Sequence, residues 1–169
     1  MSRLDSHIRQ KIAQRDTLNL AAERLGRRGG DIVEFGLGHG RSYSHLAERF
    51  PEHAVYCFDR RDVTPPGWGP PPERLVLGEL GEVLGDPAVH ARFAGRVILA
   101  HMDLASGPDD DARLHHFVVG RVVAWLAPGG WLLSDRALTL DPAWRLEPVD
   151  TAVRVQHPDR YYAYEHRVT

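Results

Sequence analysis

The residues of this chain best suited to chemistry gather in one short run, Glu34-Phe35-Gly36-Leu37-Gly38-His39-Gly40-Arg41-Ser42. Glycines between a strand and the following helix let the backbone approach a ligand closely, and they present free N–H groups at the helix N-terminus. A dinucleotide fingerprint of the form G-x-G-x-x-G needs a glycine three positions after Gly38, where Arg41 stands. Asp59 ends the next apolar run and could hydrogen-bond a ribose, in a nicotinamide or an adenosyl ligand alike. Glu79, His101 and Asp103 follow at the ends of later runs, as further titratable groups on the same side.

Other reactive side chains read as structural. Cys57 sits within an apolar strand and behaves there as a small buried residue. His115 and His116 are adjacent on a helix, so they point about 100° apart and do not readily share a metal. Gly40-Arg41-Ser42-Tyr43-Ser44 carries serine in the fifth position, where a hydrolase nucleophile elbow needs glycine.

The elements that must position these residues alternate. Leu4, Ile8, Ile12, Leu18, Ala22 and Leu25 lie near one helical face, and Gly26 with Gly29-Gly30 ends that helix. Strands are expected at 31–35, 54–58, 74–77, 97–100 and 131–134, the last entered by a turn at Pro128-Gly129-Gly130. Helices are expected from Arg41 to Phe50, in one or two pieces over 81–94, and from the acidic run Asp109-Asp110-Asp111 onward. Residues 64–72, TPPGWGPPP, read as a stiff loop. Strands that are continuous apolar runs alternating with helices imply a parallel sheet covered on both faces. The tail differs: Ala152–Val155 and Tyr161–Val168 alternate around His157-Pro158-Asp159, the pattern of an antiparallel hairpin. The fold class is therefore α/β, a Rossmann-like open sheet, mostly parallel, with an antiparallel hairpin at its C-terminal edge. Residues 1–169 read as one domain, with an N-terminal helix over 1–28, a ligand-binding core over 30–135 and the hairpin within 145–169.

Composition sets the outer limits. At 169 residues with 43% apolar and 26% charged residues, the chain is an ordinary globular protein, which excludes intrinsic disorder and collagen-like repetition. A single cysteine excludes an intramolecular disulfide and any multi-cysteine cluster. The first fifteen residues are charged throughout and lack the apolar stretch of a signal peptide, and no segment has the length to cross a bilayer. These features point to the cytoplasm, with no membrane partner. Twenty arginines stand against one lysine, Lys11, yet the formal net charge is −2. That balance argues against a nucleic-acid backbone as partner.

Four features in register discriminate further: Glu34 two positions before Gly36, the spacing Gly36-x-Gly38-x-Gly40, Asp59 closing the second strand, and Ala127-Pro128-Gly129-Gly130 leading into the fifth. Together they resemble the class I S-adenosylmethionine-dependent methyltransferases, over roughly residues 30–135 and the C-terminal hairpin. The resemblance implies a cofactor, S-adenosyl-L-methionine. It places Glu34, Gly36, Gly38 and Gly40 around the methionine part, Asp59 on the ribose hydroxyls and Glu79 with Leu80 at the adenine. His101, at the end of the fourth strand, would lie beside the cofactor's amino end. Methyl transfer rests mainly on aligning a nucleophile and excluding water. Where the acceptor must lose a proton, His101 or Asp103 could take it as the catalytic base.

The stretch from Pro128 to Arg136 is similar to the catechol-type O-methyltransferases, which hold a divalent cation with acids after the fourth and fifth strands. Asp103 and Asp135 match two of those ligands, but Arg136 stands where that group has asparagine, and a cation there opposes a bound dication. No metal is expected. The chain is expected to be an enzyme that moves a methyl group from S-adenosylmethionine to a small-molecule acceptor, with homo-oligomer contacts through the N-terminal helix. A nicotinamide-dependent oxidoreductase and a non-catalytic S-adenosylmethionine-binding module are the alternatives.

Overall fold

The computed structural model describes residues 2–104 and 108–167, without the side chains of 108–111, so the acidic run Asp109–Asp111 lies outside the described side chains. Seven strands form one sheet in the order β3-β2-β1-β4-β5-β7-β6. These are β1 (Asp31–Phe35), β2 (Val55–Asp59), β3 (Leu75–Leu77), β4 (Val97–Met102), β5 (Leu126–Ser134), β6 (Leu146–Pro148) and β7 (Tyr162–His166). The first five run parallel, while β7 pairs antiparallel with both β5 and β6.

Two helical layers cover the sheet. Helix α1 (Arg3–Leu25) and α2 (Arg41–Arg49) pack on one face, through Leu18, Leu25 and Leu46 against Ile32, Val55 and Leu99. On the other face lie the short α3 (Leu80–Val83), α4 (Pro87–Phe93) and α5 (Pro108–Val122). There Phe35, Phe58, Phe93 and Trp125 form a buried aromatic cluster with ring centroids 4.9–6.1 Å apart. α1 begins with a capping box in which Ser2 and Asp5 satisfy each other's backbone N–H groups.

Two local expectations need correction. Pro128-Gly129-Gly130 is not a turn before the fifth strand; β5 starts at Leu126 and carries these residues as an irregularity in its pairing with β4. The Arg28 guanidinium steadies it by donating to the carbonyls of Pro128 and Gly129. The first strand of the antiparallel pair is Leu146–Pro148, not Ala152–Val155. Residues 152–154 form a turn in which Thr151 accepts from the N–H groups of Arg154 and Val155, and the Asp150 carboxylate caps Ala152. The apparent alternation there comes from a turn with Val155 tucked inward and Val153 86% exposed. Pro148 is tolerated because β6 is the sheet edge. Between β5 and β6 only a single 3-10 turn, Pro142–Trp144, replaces a crossover helix. Among the described residues, no helix is long and apolar enough to cross a membrane.

Candidate active site

Strand order reverses between β1 and β4, and ligands of such sheets sit outside the strand ends at that point. A cleft of about 530 Å³ opens there, lined by Gly36, Leu37 and Gly38 of the loop after β1, by Asp59 and Arg60 after β2, and by Glu79 and Leu80 after β3. Asp103 and Leu104 line it after β4, and His7, Lys11 and Gln14 line it from α1.

The loop after β1 has the shape its glycines allow. Gly36 has φ +90°, and a Cβ there would lie 2.5 Å from the carbonyl oxygen of Asp103, so only glycine lets the loop pass β4 this closely. Gly38 has φ +52° with nothing within 4 Å of its would-be Cβ, which leaves its backbone open to the cleft. Its N–H donates to Asp59 Oδ2 at 3.0 Å, tying the loop to the end of β2. Gly40 stands back from the cleft lining, as the residue before α2.

Register explains the buried group behind this loop. Glu34 faces Cys57 across the β1–β2 pair and His101 across the β1–β4 pair, so the three side chains form one row. Glu34 is fully buried; a carboxylate only accepts, so His101 Nδ1 carries the hydrogen shared with Glu34 Oε1 at 3.1 Å, while Cys57 Sγ donates to Oε2 at 3.5 Å. Burial and the Glu34 charge push the Cys57 thiol far up, which leaves it inert as a nucleophile. His101 Nε2 lies 2.6 Å from the Tyr161 hydroxyl. Burial holds the Tyr161 phenol well above its ordinary range, with the charges of Asp103, Asp135 and Glu34 adding to the effect. It is a neutral hydroxyl.

Glu34 and His101 are thus both absent from the cleft lining, enclosed behind its wall, whereas Gly36, Gly38, Asp59, Glu79, Leu80 and Asp103 line it together. Asp103 Oδ2 accepts from Lys11 Nζ at 3.0 Å and from Gln14 Nε2 at 2.9 Å. Burial alone would raise the Asp103 carboxyl, but neighbouring His101 and Lys11 and the hydrogen bonds from Lys11 and Gln14 hold it below the usual carboxylate range. Lys11, Gln14 and Tyr161 were not among the residues expected from sequence. The available signal was faint: Lys11 is the only lysine in the chain.

The residues present suit an adenosyl ligand carrying an amino acid. The cleft offers an open glycine backbone, a carboxylate for hydroxyl groups in Asp59, and, for a flat base, the Glu79 carboxylate beside the apolar surface of Phe58, Leu80 and Leu114. Its volume is that of a ligand site. Among the described residues, no group of three or more His, Cys, Asp or Glu is placed to hold a metal; Asp135 is engaged instead by His115 Nε2 at 2.7 Å.

A sequence profile of the S-adenosyl-L-methionine methyltransferase family matches residues 1–166. The chain belongs to that family. The methyltransferase shares its fold with an S-adenosyl-L-methionine methyl transferase from Silicibacter pomeroyi DSS-3, at TM-score 0.87 and 28% identity over 98% of this chain and 99% of that one. Its enzyme class and its cofactor, S-adenosyl-L-methionine, follow. No curated protein matches the sequence. Two more distant likenesses concern the fold alone. The antibiotic-resistance methyltransferase Kmr aligns at TM-score 0.55 and 16% identity, over 89% of this chain and 92% of that one. A 16S rRNA (adenine(1408)-N(1))-methyltransferase from Catenulisporales acidiphilia, with cosubstrate, aligns at 0.50 and 15%, over 91% and 92%.

That last likeness overturns the expectation of a small-molecule partner to the exclusion of nucleic acid. The same sheet serves an enzyme that acts on ribosomal RNA, so the fold excludes no such acceptor. Net charge does not decide the acceptor, because recognition depends on charges at the cleft rather than on their sum. Here Arg41, Arg60 and His39 stand exposed around a chain of formal charge −2.

Proposed function

We propose that this methyltransferase holds its cofactor across the ends of β1, β2 and β3, with Gly36 and Gly38 giving backbone contact, Asp59 the ribose contact, and Glu79 with Leu80 the adenine contact. The observation that carries this reading is the Asp59–Gly38 bond at the point where strand order reverses. When bound, the cofactor supplies an electrophilic methyl group on a sulfonium. The protein's own part is to position the acceptor and exclude water.

Asp103 suits a fixed anion better than a proton acceptor, since a carboxyl held below its usual range has little proton affinity at neutral pH. Glu34, His101 and Tyr161 act as positioning residues, bracing the wall that carries Asp103. The exposed Leu4 and Ile8 of α1 support a homo-oligomer contact beside the cleft, in the cytoplasm, which light scattering at micromolar concentration checks.

Calorimetry of the full chain against S-adenosylmethionine, S-adenosylhomocysteine and NADH tests the cofactor site. The first two are expected to bind and NADH is not; tight NADH binding with no response to the other two would sink the reading. Labelled methyl transfer into separate RNA and small-molecule fractions of a cell extract then assigns the acceptor class.

A further inference from the structure

We infer that Lys11 and Asp103 form a zwitterion-reading pair, Lys11 taking the carboxylate and Asp103 the ammonium of the amino-acid end of the bound cofactor. This rests on the methyltransferase reading above and extends it to a residue pair outside the glycine loop.

The pair is built from distant parts of the chain. Lys11 comes from α1 and Asp103 from the segment after β4, 92 positions apart, and their charged atoms meet at 3.0 Å in the cleft lining. Gln14 sits one helical turn after Lys11 and binds both: its Oε1 accepts from Lys11 Nζ at 2.9 Å and its Nε2 donates to Asp103 Oδ2 at 2.9 Å. Gln14 is itself buried, and its amide also reaches the Tyr161 hydroxyl at 3.3 Å. Both charges are therefore held in place before any ligand arrives, which lowers the ordering cost of binding.

Each charge is only half used. An ammonium has three N–H groups, and Lys11 spends one on Gln14 and one on Asp103. Asp103 takes both of its donors on Oδ2, while Oδ1 takes none among the described residues. The two side chains remain 42% and 21% exposed. A simple cation at this end meets the Lys11 charge, and a simple anion meets the Asp103 charge. A group carrying ammonium and carboxylate on one carbon satisfies both by lying antiparallel to the pair, with opposite charges adjacent all round. Arg41 and Arg60 also line the cleft, but neither has an ion-pair partner among the described residues to fix it. A compact ammonium on a helix turn fits a carboxylate that must share space with its own amine; a broad guanidinium does so less well.

The test is calorimetry of the full chain with three ligands that differ in the charged groups they carry. S-adenosylmethionine has both groups, decarboxylated S-adenosylmethionine keeps the ammonium and the sulfonium, and 5′-methylthioadenosine, a neutral thioether, has neither group and no sulfonium. Lys11→Met is expected to weaken S-adenosylmethionine about tenfold or more, the worth of one charge-assisted hydrogen bond. It should leave 5′-methylthioadenosine unchanged and decarboxylated S-adenosylmethionine equal or tighter, and Lys11→Arg should restore part of the loss. Asp103→Asn should weaken both ammonium-bearing ligands and spare 5′-methylthioadenosine. A Lys11→Met effect equal on all three ligands, or on none, overturns the proposal. Lys11 is exposed on its helix, so that variant folds; a melting curve confirms it. If the unmutated chain binds none of the three, the methyltransferase reading itself fails, an outcome distinct from uniform loss in the variant.

Discussion

The hydroxyl of Tyr161 lies 2.6 Å from His101 Nε2, joining the segment before β7 to the end of β4 across 60 positions of sequence. The same hydroxyl is 3.3 Å from Gln14 Nε2 and from the Met102 carbonyl oxygen. The antiparallel hairpin thus does more than close a sheet edge: through one phenol it braces both the strand end and the helix that flank the cleft.

Tyr161→Phe removes that brace and leaves buried polar atoms without their partner. A buried group left unpaired costs about 1–3 kcal/mol. At roughly 2–4 °C per kcal/mol for a domain of this size, the melting temperature is expected to fall by several degrees. Cofactor affinity should fall with it, since Gln14 loses a contact on the cleft side. An unchanged melting curve would mean that the hydroxyl contributes nothing to the wall.

Asp59→Ala tests the loop anchor. Loss of the carboxylate frees the Gly38 N–H and removes the acceptor proposed for ribose. Hydrogen bonds to charged groups are worth about 1.5–3 kcal/mol, so S-adenosylhomocysteine affinity should drop roughly 10- to 100-fold. The chain should still fold, because Asp59 is only half-buried and ends its strand. Full affinity in this variant would remove Asp59 from the site.

Gly36→Ala tests the close passage of the loop and β4. The added methyl would stand 2.5 Å from the Asp103 carbonyl oxygen, too close without a backbone shift, at a φ that non-glycine residues rarely adopt. Strain of this kind costs about 1–3 kcal/mol, and relieving it by separating the loop from Asp103 disturbs the cleft lining that both supply. Both a lower melting temperature and weaker cofactor binding are expected. Thermal scans with and without S-adenosylhomocysteine separate the two, because ligand stabilisation should shrink in the variant.

How much of this could be read from sequence depends on the distance between partners. The strand–loop–helix run from Asp31 to Arg49 and the acid Asp59 were legible, because their signals are local: an apolar run, glycines at fixed spacing, and a strand end. So were the parallel pairing of the first five strands and the antiparallel edge at the C-terminal end. Glu34 and His101 were placed near the cofactor by position along their strands. Position does not reveal which face of the sheet a side chain takes, or that a neighbouring strand will bury it. Lys11, Gln14 and Tyr161 belong to segments that meet β4 only through the tertiary fold, so no local pattern marks them. The turn at 152–154 mimics a strand in sequence, because side-chain alternation is shared by strands and by turns with one residue tucked in.

The Asp103 carboxyl is held below its usual range in the folded chain, so the folded state takes up that proton less readily than the unfolded state does. Its contribution to stability is therefore complete above the ordinary carboxylate pKa of about 4, and it drains away as pH falls towards and through the lower folded value. Asp103→Asn lacks this contribution at every pH. Melting temperatures of the two proteins should differ at pH 7 and converge as pH approaches 3, while other titrating groups act on both alike and cancel in the comparison. A difference that stays constant over that range, or widens at its acid end, would show that Lys11 and Gln14 do not hold the carboxylate in its ionised form.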